Sequence, residues 1–443
     1  MDKANLFTRR AFINGLGAAA GTLHPWIRPL ALGAVGCAAE RASKDPEIAA
    51  RDEDFWRPVQ EAYRADRALL NLNNGGVSPF PRMVEEALFD YTREALRCPS
   101  RFLLRDPDPP LEAVRRELAS MFGSEPDEIA IVRNSTEALE TVTFGLDLRK
   151  GDEILSSNQD YPRMVNAWKQ RAMRDGVVFR QISLPAPPRD LSEIVAAFER
   201  AITPRTRVLH FCHVINLTGQ ILPVRELCEL ARSRGILSLV DGAHSFAHFP
   251  FQWKDLGCDF FGTSLHKWLS APFGSGMLFV KKSRIRSLWP LFAHSEPRSG
   301  DIRKFEQIGT HPTPIYHAIA HAIDFNRSIG LERKAARLRY LKSYWADLLP
   351  EDDRVKFHTS FEPEQSCAIA LLHLQGVPSK RLADHLRDDH AIIVAPIQHQ
   401  ELRGIRVSPH VYTTLAELNR FAGAIHEVLD HGLPEPRRKR GPI

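Results

Sequence analysis

Short apolar runs alternate with amphipathic helical patterns from about residue 79 to residue 312. Helical patterns such as SEIVAAFERAI and VRELCELARSRG separate several of the runs. Strands that alternate with helices of this length need crossover connections, and continuous apolar character is typical of strands covered on both faces. We therefore predict an α/β fold with a mainly parallel sheet. The runs are EIAIV (128–132), EILSS (153–157), VVFRQIS (177–183), RVLHFCHV (207–214), ILSLVDG (236–242), DFFGTS (259–264) and GMLFVKK (276–282).

The pattern changes near residue 312. The stretch PIYHAIAHAIDFNRSIGLERKAARLRYLKSYWADLL predicts one long or broken helix, and shorter mixed elements follow it. We expect a large domain at residues 79–312 and a smaller α+β domain at residues 313–443. The polar stretch ERASKDPEIAARDED predicts that residues 41–78 form a linker and an N-terminal segment.

The first forty residues resemble a twin-arginine export signal. Arg9 and Arg10 lie in TRRAFI, a weakly apolar run follows, and AVGCAAE offers small residues for cleavage or, at Cys37, for lipidation. Pro25 and Arg28 interrupt the run, which argues against a membrane-spanning helix of about 20 apolar residues. We expect residues 1–40 to be a signal peptide and the protein to be periplasmic or otherwise exported. An ordinary disordered N-terminus is the alternative.

Composition and charge exclude several classes of protein. The chain has 443 residues, 43% of them hydrophobic, and a net charge of +5, which is typical of a globular protein. A short basic tail at residues 436–440 lacks the interleaved aromatic residues of a nucleic-acid site. The six cysteines form no CxxC pair and the histidines lack the spacing of metal ligands, so we expect no metal site.

Polar motifs follow four of the predicted strands. RNSTEA follows the run at residues 128–132. CHVINLTG, DGAHS and TSLHKW lie at the ends of the runs at residues 207–214, 236–242 and 259–264, respectively. Ligands of doubly wound sheets bind at the carboxyl ends of strands, so these motifs are expected to meet. Each motif alone fits a helix cap or a turn equally well.

The order of these motifs matches the requirements of pyridoxal 5'-phosphate (PLP). The cofactor needs a lysine that is neutral near pH 7 for covalent attachment, and a carboxylate facing its pyridine nitrogen. Its phosphate needs N–H groups at a helix N-terminus, and a substrate carboxylate suits an arginine. Asp241 and Lys267 follow two neighbouring predicted strands in this order.

With VIN, VDGAHS and TSLHKW in this order, the chain resembles the class V aminotransferase family of fold-type I PLP enzymes. Within it, the resemblance is to the branch of isopenicillin N epimerase-like proteins and cysteine desulfurases. It extends from LLNLNNGGVSP to the C-terminus. It implies a large domain with a mainly parallel sheet, a smaller α+β C-terminal domain, PLP as cofactor, an amino acid as substrate and a homodimer with shared active sites.

The resemblance also implies the catalytic residues. Lys267 attaches the cofactor and, once released, moves the Cα proton. Asp241 pairs with the pyridine nitrogen. His244 and Asn216 lie near the phenolic oxygen of the cofactor, where the family often has glutamine at the position of His244.

Further positions are implied by the same resemblance. Tyr161 stacks on the cofactor ring, Thr310 reaches the phosphate held by a neighbouring subunit, and Arg406 binds the substrate carboxylate. Asn74 lines the active site on the turn LNNGGVSP, where epimerase-like members often have histidine. The residues implied to bind the phosphate within one chain are Ser135, Thr136, Ser264 and His266.

The reaction is only partly constrained. A cysteine desulfurase needs a nucleophilic cysteine before the substrate arginine, but residues 394–408 read VAPIQHQELRGIRVS, and Cys367 lies too far upstream. We therefore exclude desulfuration and expect an epimerase or an aminotransferase. A PLP-dependent β-lyase of a sulfur-containing amino acid and a non-catalytic cofactor-binding protein are the alternatives.

Overall fold

A seven-stranded sheet forms the centre of the computed structural model, which describes residues 30–104 and 108–435. The order is β2-β8-β7-β6-β5-β3-β4, and all pairs are parallel except the two made by β8. Each predicted apolar run forms one strand, which confirms the predicted sheet. The strands are β2 Ile129–Val132, β3 Glu153–Ser157, β4 Val178–Ile182, β5 Thr206–Cys212, β6 Leu237–Asp241, β7 Phe260–Ser264 and β8 Gly276–Val280.

Helices connect and cover these strands. Amphipathic sequences direct their apolar sides to the sheet, and the buried face of Val224–Ser233, for example, carries Val224, Leu227, Cys228 and Ala231. The helices between residues 82 and 285 are Arg82–Arg97, Pro99–Leu103, Pro109–Phe122, Ser135–Gly145, Pro162–Asp175, Ser192–Ala201, Val224–Ser233, Trp253–Leu256 and Lys282–Ile285.

The N-terminal part of the described chain is folded rather than a linker. Helices occupy Leu30–Arg41, Pro46–Ala49 and Glu53–Glu61. The first packs against the third and buries Val35 and Ala38, which lie on one face at helical spacing. The predicted signal boundary at residue 40 therefore falls inside a packed helix. Arg9 and Arg10 lie outside the described residues.

A four-stranded antiparallel sheet forms the smaller domain, as predicted from the mixed elements near the C-terminus. Its order is β12-β13-β10-β9. One face packs on helices Leu331–Asp347, Ser379–His390 and Leu415–His431. The strands are β9 Val355–Phe357, β10 Ala370–Leu374, β12 Ala395–Gln398 and β13 Arg403–Val407.

The two cores divide later along the chain than residue 312. Helix Thr313–Ile329 buries Tyr316 and Ile323 in the core of the large domain, against helices Arg82–Arg97 and Pro109–Phe122. Gly330, at φ 87°, ends this helix, and Leu331–Asp347 continues into the second core. The predicted long helix is thus broken at a glycine, and its first half belongs to the large domain.

A short strand near the N-terminus joins the smaller domain. Strand β1 (Leu70–Asn71) pairs in parallel with β11 (Ile392–Ile393), and Asn73 forms a bridge with Ser408. This pairing carries the turn at residues 73–76 to the end of β13, beside the large sheet. No helix in the described part of the chain is long and apolar enough to cross a membrane.

Candidate active site

A cavity of about 320 Å³ lies at the carboxyl ends of the central strands. This is where ligands bind in open parallel sheets, and the volume lies within the range of small-molecule sites. Three groups of elements form its wall: the turns after β2, β3, β5, β6 and β7, the N-terminal turn, and β13. The lining residues are Gly75, Gly76, Asn134, Ser135, Thr136, Tyr161, Cys212, Asn216, Asp241, Ala243, His244, Ser264, His266, Lys267 and Arg406.

One end of the cavity meets the N-terminus of helix Ser135–Gly145. Asn134 caps this helix by accepting from the Glu137 amide at 2.9 Å. Ser264 Oγ accepts from the Ser135 amide at 2.9 Å and hydrogen-bonds to Ser135 Oγ at the same distance. The first-turn amides of a helix have no acceptor within it, so this corner offers N–H and hydroxyl donors to an anion.

His266 extends the same corner. Its Nδ1 lies 3.2 Å from the carbonyl oxygen of Ser275, which can only accept, so Nδ1 carries a proton. Burial and the nearby Lys267 lower the pKa of His266, which favours the neutral ring.

Asp241 ends β6 and is held by the turn that follows it. Its Oδ1 accepts from the Ala243 amide at 2.9 Å. The next residue must be glycine, since a Cβ on Gly242 would lie 1.8 Å from the Phe261 ring. Burial raises the pKa of Asp241, whereas the Ala243 amide and Lys267 oppose this shift. The carboxylate therefore faces the cavity as a buried group that would gain from a cationic partner.

Lys267 and His244 are in contact with each other, and both line the cavity. Lys267 Nζ lies 3.3 Å from His244 Nε2. Burial lowers the pKa of Lys267 to about 8, although Asp241 opposes this change and Arg406 adds to it. Burial, together with Lys267 and Arg406, holds the pKa of His244 well below its usual value. The pair is therefore an amine that loses its proton readily beside a neutral imidazole.

Arg406, on β13, forms another part of the cavity wall. It is 7% exposed, its Nη1 donates to the Asn216 carbonyl at 2.9 Å, and its Nη2 donates to Asn73 Oδ1 at 2.6 Å. Burial lowers its pKa to about 10, so it stays charged at neutral pH. Tyr161, which follows β3, lines the same space.

Ten of the twelve predicted site residues line this cavity, and two do not. Asn74 is fully buried behind the turn: its Nδ2 donates to the Asn71 and Ser408 carbonyls, and its Oδ1 accepts from Tyr412 at 2.7 Å. Its amide is thus used in holding the turn, and the prediction that it lines the substrate site is corrected. Thr310 lies exposed on the surface, away from the cavity of its own chain.

Several lining residues escaped the sequence analysis. Gly75 and Gly76 were recognised only as part of a turn, and Asn134 only within the motif RNSTEA. Cys212 ends β5 and is the first residue of the motif CHVINLTG, so its place at the cavity wall follows from the same position at a strand end. A Cβ on Gly75 would lie 3.3 Å from Ser408 Oγ and 3.4 Å from the His244 ring, so the turn packs closely on both side chains.

The residues present fit PLP. Three buried polar atoms around the cavity have no hydrogen-bond partner among the described residues: Asn216 Oδ1, His244 Nδ1 and Arg406 Nε. Such atoms are costly unless a ligand or water satisfies them. Asp241 would face the pyridine nitrogen, Lys267 would carry the covalent bond, and the Ser135 corner would take the phosphate.

Comparisons with known proteins agree with this chemistry. The family model for aminotransferase class-V matches residues 108–421. The chain is 33% identical over 387 residues to isopenicillin N epimerase of Streptomyces clavuligerus, covering 84% of this chain and 97% of that protein.

Solved structures show the same fold. A cysteine desulfurase of Escherichia coli superposes with a TM-score of 0.74 at 20% identity, over 85% of this chain and 98% of that chain. A mutant of C-DES with glycine covalently linked to its PLP cofactor superposes with a TM-score of 0.72 at 20% identity, over 82% and 98%. The chain therefore belongs to the class-V aminotransferase family, has the fold-type I architecture and is a PLP-dependent enzyme.

Proposed function

We propose that this enzyme acts at the Cα of an amino acid as an epimerase or an aminotransferase, most similar in activity to isopenicillin N epimerase. The observation that carries the proposal is the placement of Lys267 in one cavity with Asp241 and Arg406. A base, a counter-charge for the cofactor ring and an anchor for a carboxylate are together what reactions at Cα need.

Lys267 is the base in this proposal. PLP, when bound, withdraws electrons from the Cα of an attached amino acid. With a pKa of about 8, the amine is partly neutral near pH 7, and it can take the Cα proton and return it. His244 Nε2, 3.3 Å from Nζ, accepts a hydrogen bond from the amine and holds it in place.

The other polar residues orient the reacting molecule. Asp241 would stabilise positive charge on the pyridine nitrogen, and the side-chain amide nitrogen of Asn216 and the unpaired Nδ1 of His244 would donate to the phenolic oxygen. Tyr161 stacks on the ring, and Ser135, Thr136, Ser264 and His266 bind the phosphate. Arg406 binds the α-carboxylate, which places the Cα hydrogen near Lys267.

The thiol at the cavity wall and the other buried thiols are poorly suited to desulfuration. That reaction needs an accessible thiolate near the substrate. Cys212 is the cysteine at the cavity wall, and burial raises its pKa well above the usual value. Burial likewise raises the pKa of Cys228 to about 12 and of Cys367 to about 11. These thiols stay protonated and act as poor nucleophiles.

Incubation of the holoenzyme with single amino acids in deuterated water tests the proposal. Deuterium at Cα with racemisation supports an epimerase, and a keto acid supports an aminotransferase. An eliminated side-chain fragment overturns both in favour of a β-lyase. The Lys267→Ala variant should lose the absorbance of covalently bound cofactor and the exchange, whereas the exposed Lys254→Ala should keep both. No exchange with any amino acid would overturn the proposal.

A homodimer with shared active sites is part of this proposal. Thr310 is exposed in a single chain. In the dimer, its hydroxyl would donate to the phosphate of the cofactor bound by the second subunit. Sedimentation should give twice the mass of one chain, and Thr310→Ala should weaken PLP binding without changing that mass. A protein that sediments as a monomer and binds PLP equally tightly with threonine or alanine at position 310 would contradict the proposed dimer.

Export by the twin-arginine route is also proposed, on the strength of Arg9 and Arg10 in TRRAFI. That route would deliver a chain already folded around its cofactor. Replacement of both arginines by lysine should retain the protein in the cytoplasm. An unchanged distribution between cell fractions would overturn the proposal.

A further inference from the structure

Asn73 contacts Arg406 without lining the cavity itself. Its Oδ1 accepts from Arg406 Nη2 at 2.6 Å, while Nη1 donates to the Asn216 carbonyl at 2.9 Å. A guanidinium has only donors, so the amide oxygen of Asn73 must face it. Both acceptors that hold Arg406 are therefore neutral.

The backbone holds Asn73 firmly in this position. Its amide donates to Asn71 Oδ1 at 2.9 Å, its carbonyl accepts from the Gly76 amide at 2.9 Å, and it forms a parallel bridge with Ser408. Because Ser408 follows Arg406 by two residues, this bridge sets Asn73 beside the guanidinium.

The charge of Arg406 is uncompensated by these contacts. Its hydrogen bonds go to an amide oxygen and a carbonyl, and no carboxylate in residues 30–104 and 108–435 forms an ion pair with it. The charge extends into the cavity, since it lowers the pKa of both Lys267 and His244. An acidic residue in contact with the guanidinium would cancel this effect.

We propose that Asn73 is a positioning residue that orients Arg406 through a neutral acceptor and so leaves its full charge for the α-carboxylate of the substrate. The inference rests on the proposed function, because it takes an amino acid as the substrate. An aspartate at position 73 has the same shape but would pair with Arg406. It would then compete with the substrate carboxylate.

The test compares Asn73→Asp with the parent holoenzyme. The first measurement is a pH titration of the absorbance of bound cofactor, which needs no substrate. Asn73→Asp should raise the apparent pKa of this transition by about one unit. The new carboxylate would neutralise Arg406, which would then no longer disfavour a proton on the nitrogen of Lys267. Asn73→Ala keeps the charge and should shift it less. Asn419→Asp, an exposed change on the smaller domain, should leave it unaltered.

The second measurement is the spectral response to L-alanine and to L-alaninamide. Asn73→Asp should weaken the response to L-alanine at least about tenfold in apparent Kd, as expected for a weakened charged contact, and should spare the amide. The inference would be overturned if Asn73→Asp weakened the affinity for L-alanine and for L-alaninamide by the same factor. It would also be overturned if Asn73→Asp left both the pH transition and the affinity for L-alanine at their parental values. If the parent enzyme responds to no amino acid, the proposed function fails, and the pH titration still decides the role of Asn73.

Discussion

The imidazole of His248 stacks on the indole of Trp268, with ring centroids 3.7 Å apart and planes within 2°. Trp268 directly follows Lys267, and His248 Nδ1 lies 2.7 Å from the carbonyl oxygen of His244. His248 Nε2 also accepts from the Ala368 amide at 3.0 Å. The stack therefore joins the two turns that bring Lys267 and His244 together, and ties both to the segment that enters β10 of the smaller domain.

Removal of this indole should loosen the site as well as the core. Trp268 is fully buried, so Trp268→Ala should lower the free energy of unfolding by about 3–5 kcal/mol. Trp268→Phe, which keeps a ring, should cost less and bind PLP more tightly than the alanine variant. Urea unfolding and PLP titration measure the two effects. The control is Trp289→Ala, whose indole is 40% exposed; an equal loss there would contradict this role.

A buried ion pair supports the strand that precedes the phosphate corner. Glu306 accepts from Arg115 at 2.6 Å and from the Ile131 amide of β2 at 2.5 Å. Glu306→Gln leaves the guanidinium of Arg115, which is 1% exposed, without its buried counter-charge, and should cost about 3 kcal/mol. Glu112→Gln, at the more exposed partner of Arg115, should cost less. Equal unfolding midpoints for the two variants would argue against the buried pair.

Cofactor attachment to the apoenzyme should accelerate with pH. Only a neutral amine attacks the aldehyde, and Lys267 has a pKa of about 8 because burial disfavours its charge. The rate should rise about fivefold from pH 7 to pH 8 and less than about twofold above pH 8. Arg406→Met should move the midpoint upward, since Arg406 lowers this pKa. Stopped-flow absorbance gives the profile, and a midpoint near that of free lysine would exclude a depressed pKa.

The first described helix should contribute to stability. The reference is a chain that begins at residue 30. One that begins at residue 42 loses the burial of Val35 and Ala38 and should be less stable by about 2 kcal/mol. Val35→Asp should destabilise the protein, whereas Asp at the exposed neighbour Ala34 should not. Identical melting temperatures for all of these proteins would show that helix Leu30–Arg41 does not stabilise the fold.

The sheet could be predicted because its strands are buried on both faces and therefore read as continuous apolar runs. The site motifs followed from the same logic, since a polar residue directly after such a run lies at the carboxyl end of the sheet. Asp241 and Lys267 are examples, and the structure brings both to one cavity.

Contacts between distant parts of the chain could not be predicted in this way. Asn73 meets Arg406 across 333 residues, and no local pattern marks either as the partner of the other. Asn74 looked available on its turn, but Ser408 and Tyr412 take up its amide. The division between the cores was placed too early because helix Thr313–Ile329 has the same periodicity whichever core it enters.

The pairing of β1 with β11 sets the order in which parts of the site can form while the chain is being translated. The turn that holds Asn74 is complete only once Ser408, 334 residues later, has been made. A ribosome that adds about 5–20 residues per second reaches it after roughly 17–67 s. Until then the emerging chain carries Lys267 and Asp241 but lacks the wall formed by Arg406 and Gly75. A nascent chain can thus complete its central sheet well before it can enclose a cofactor, and the last strands translated determine when the enzyme becomes competent.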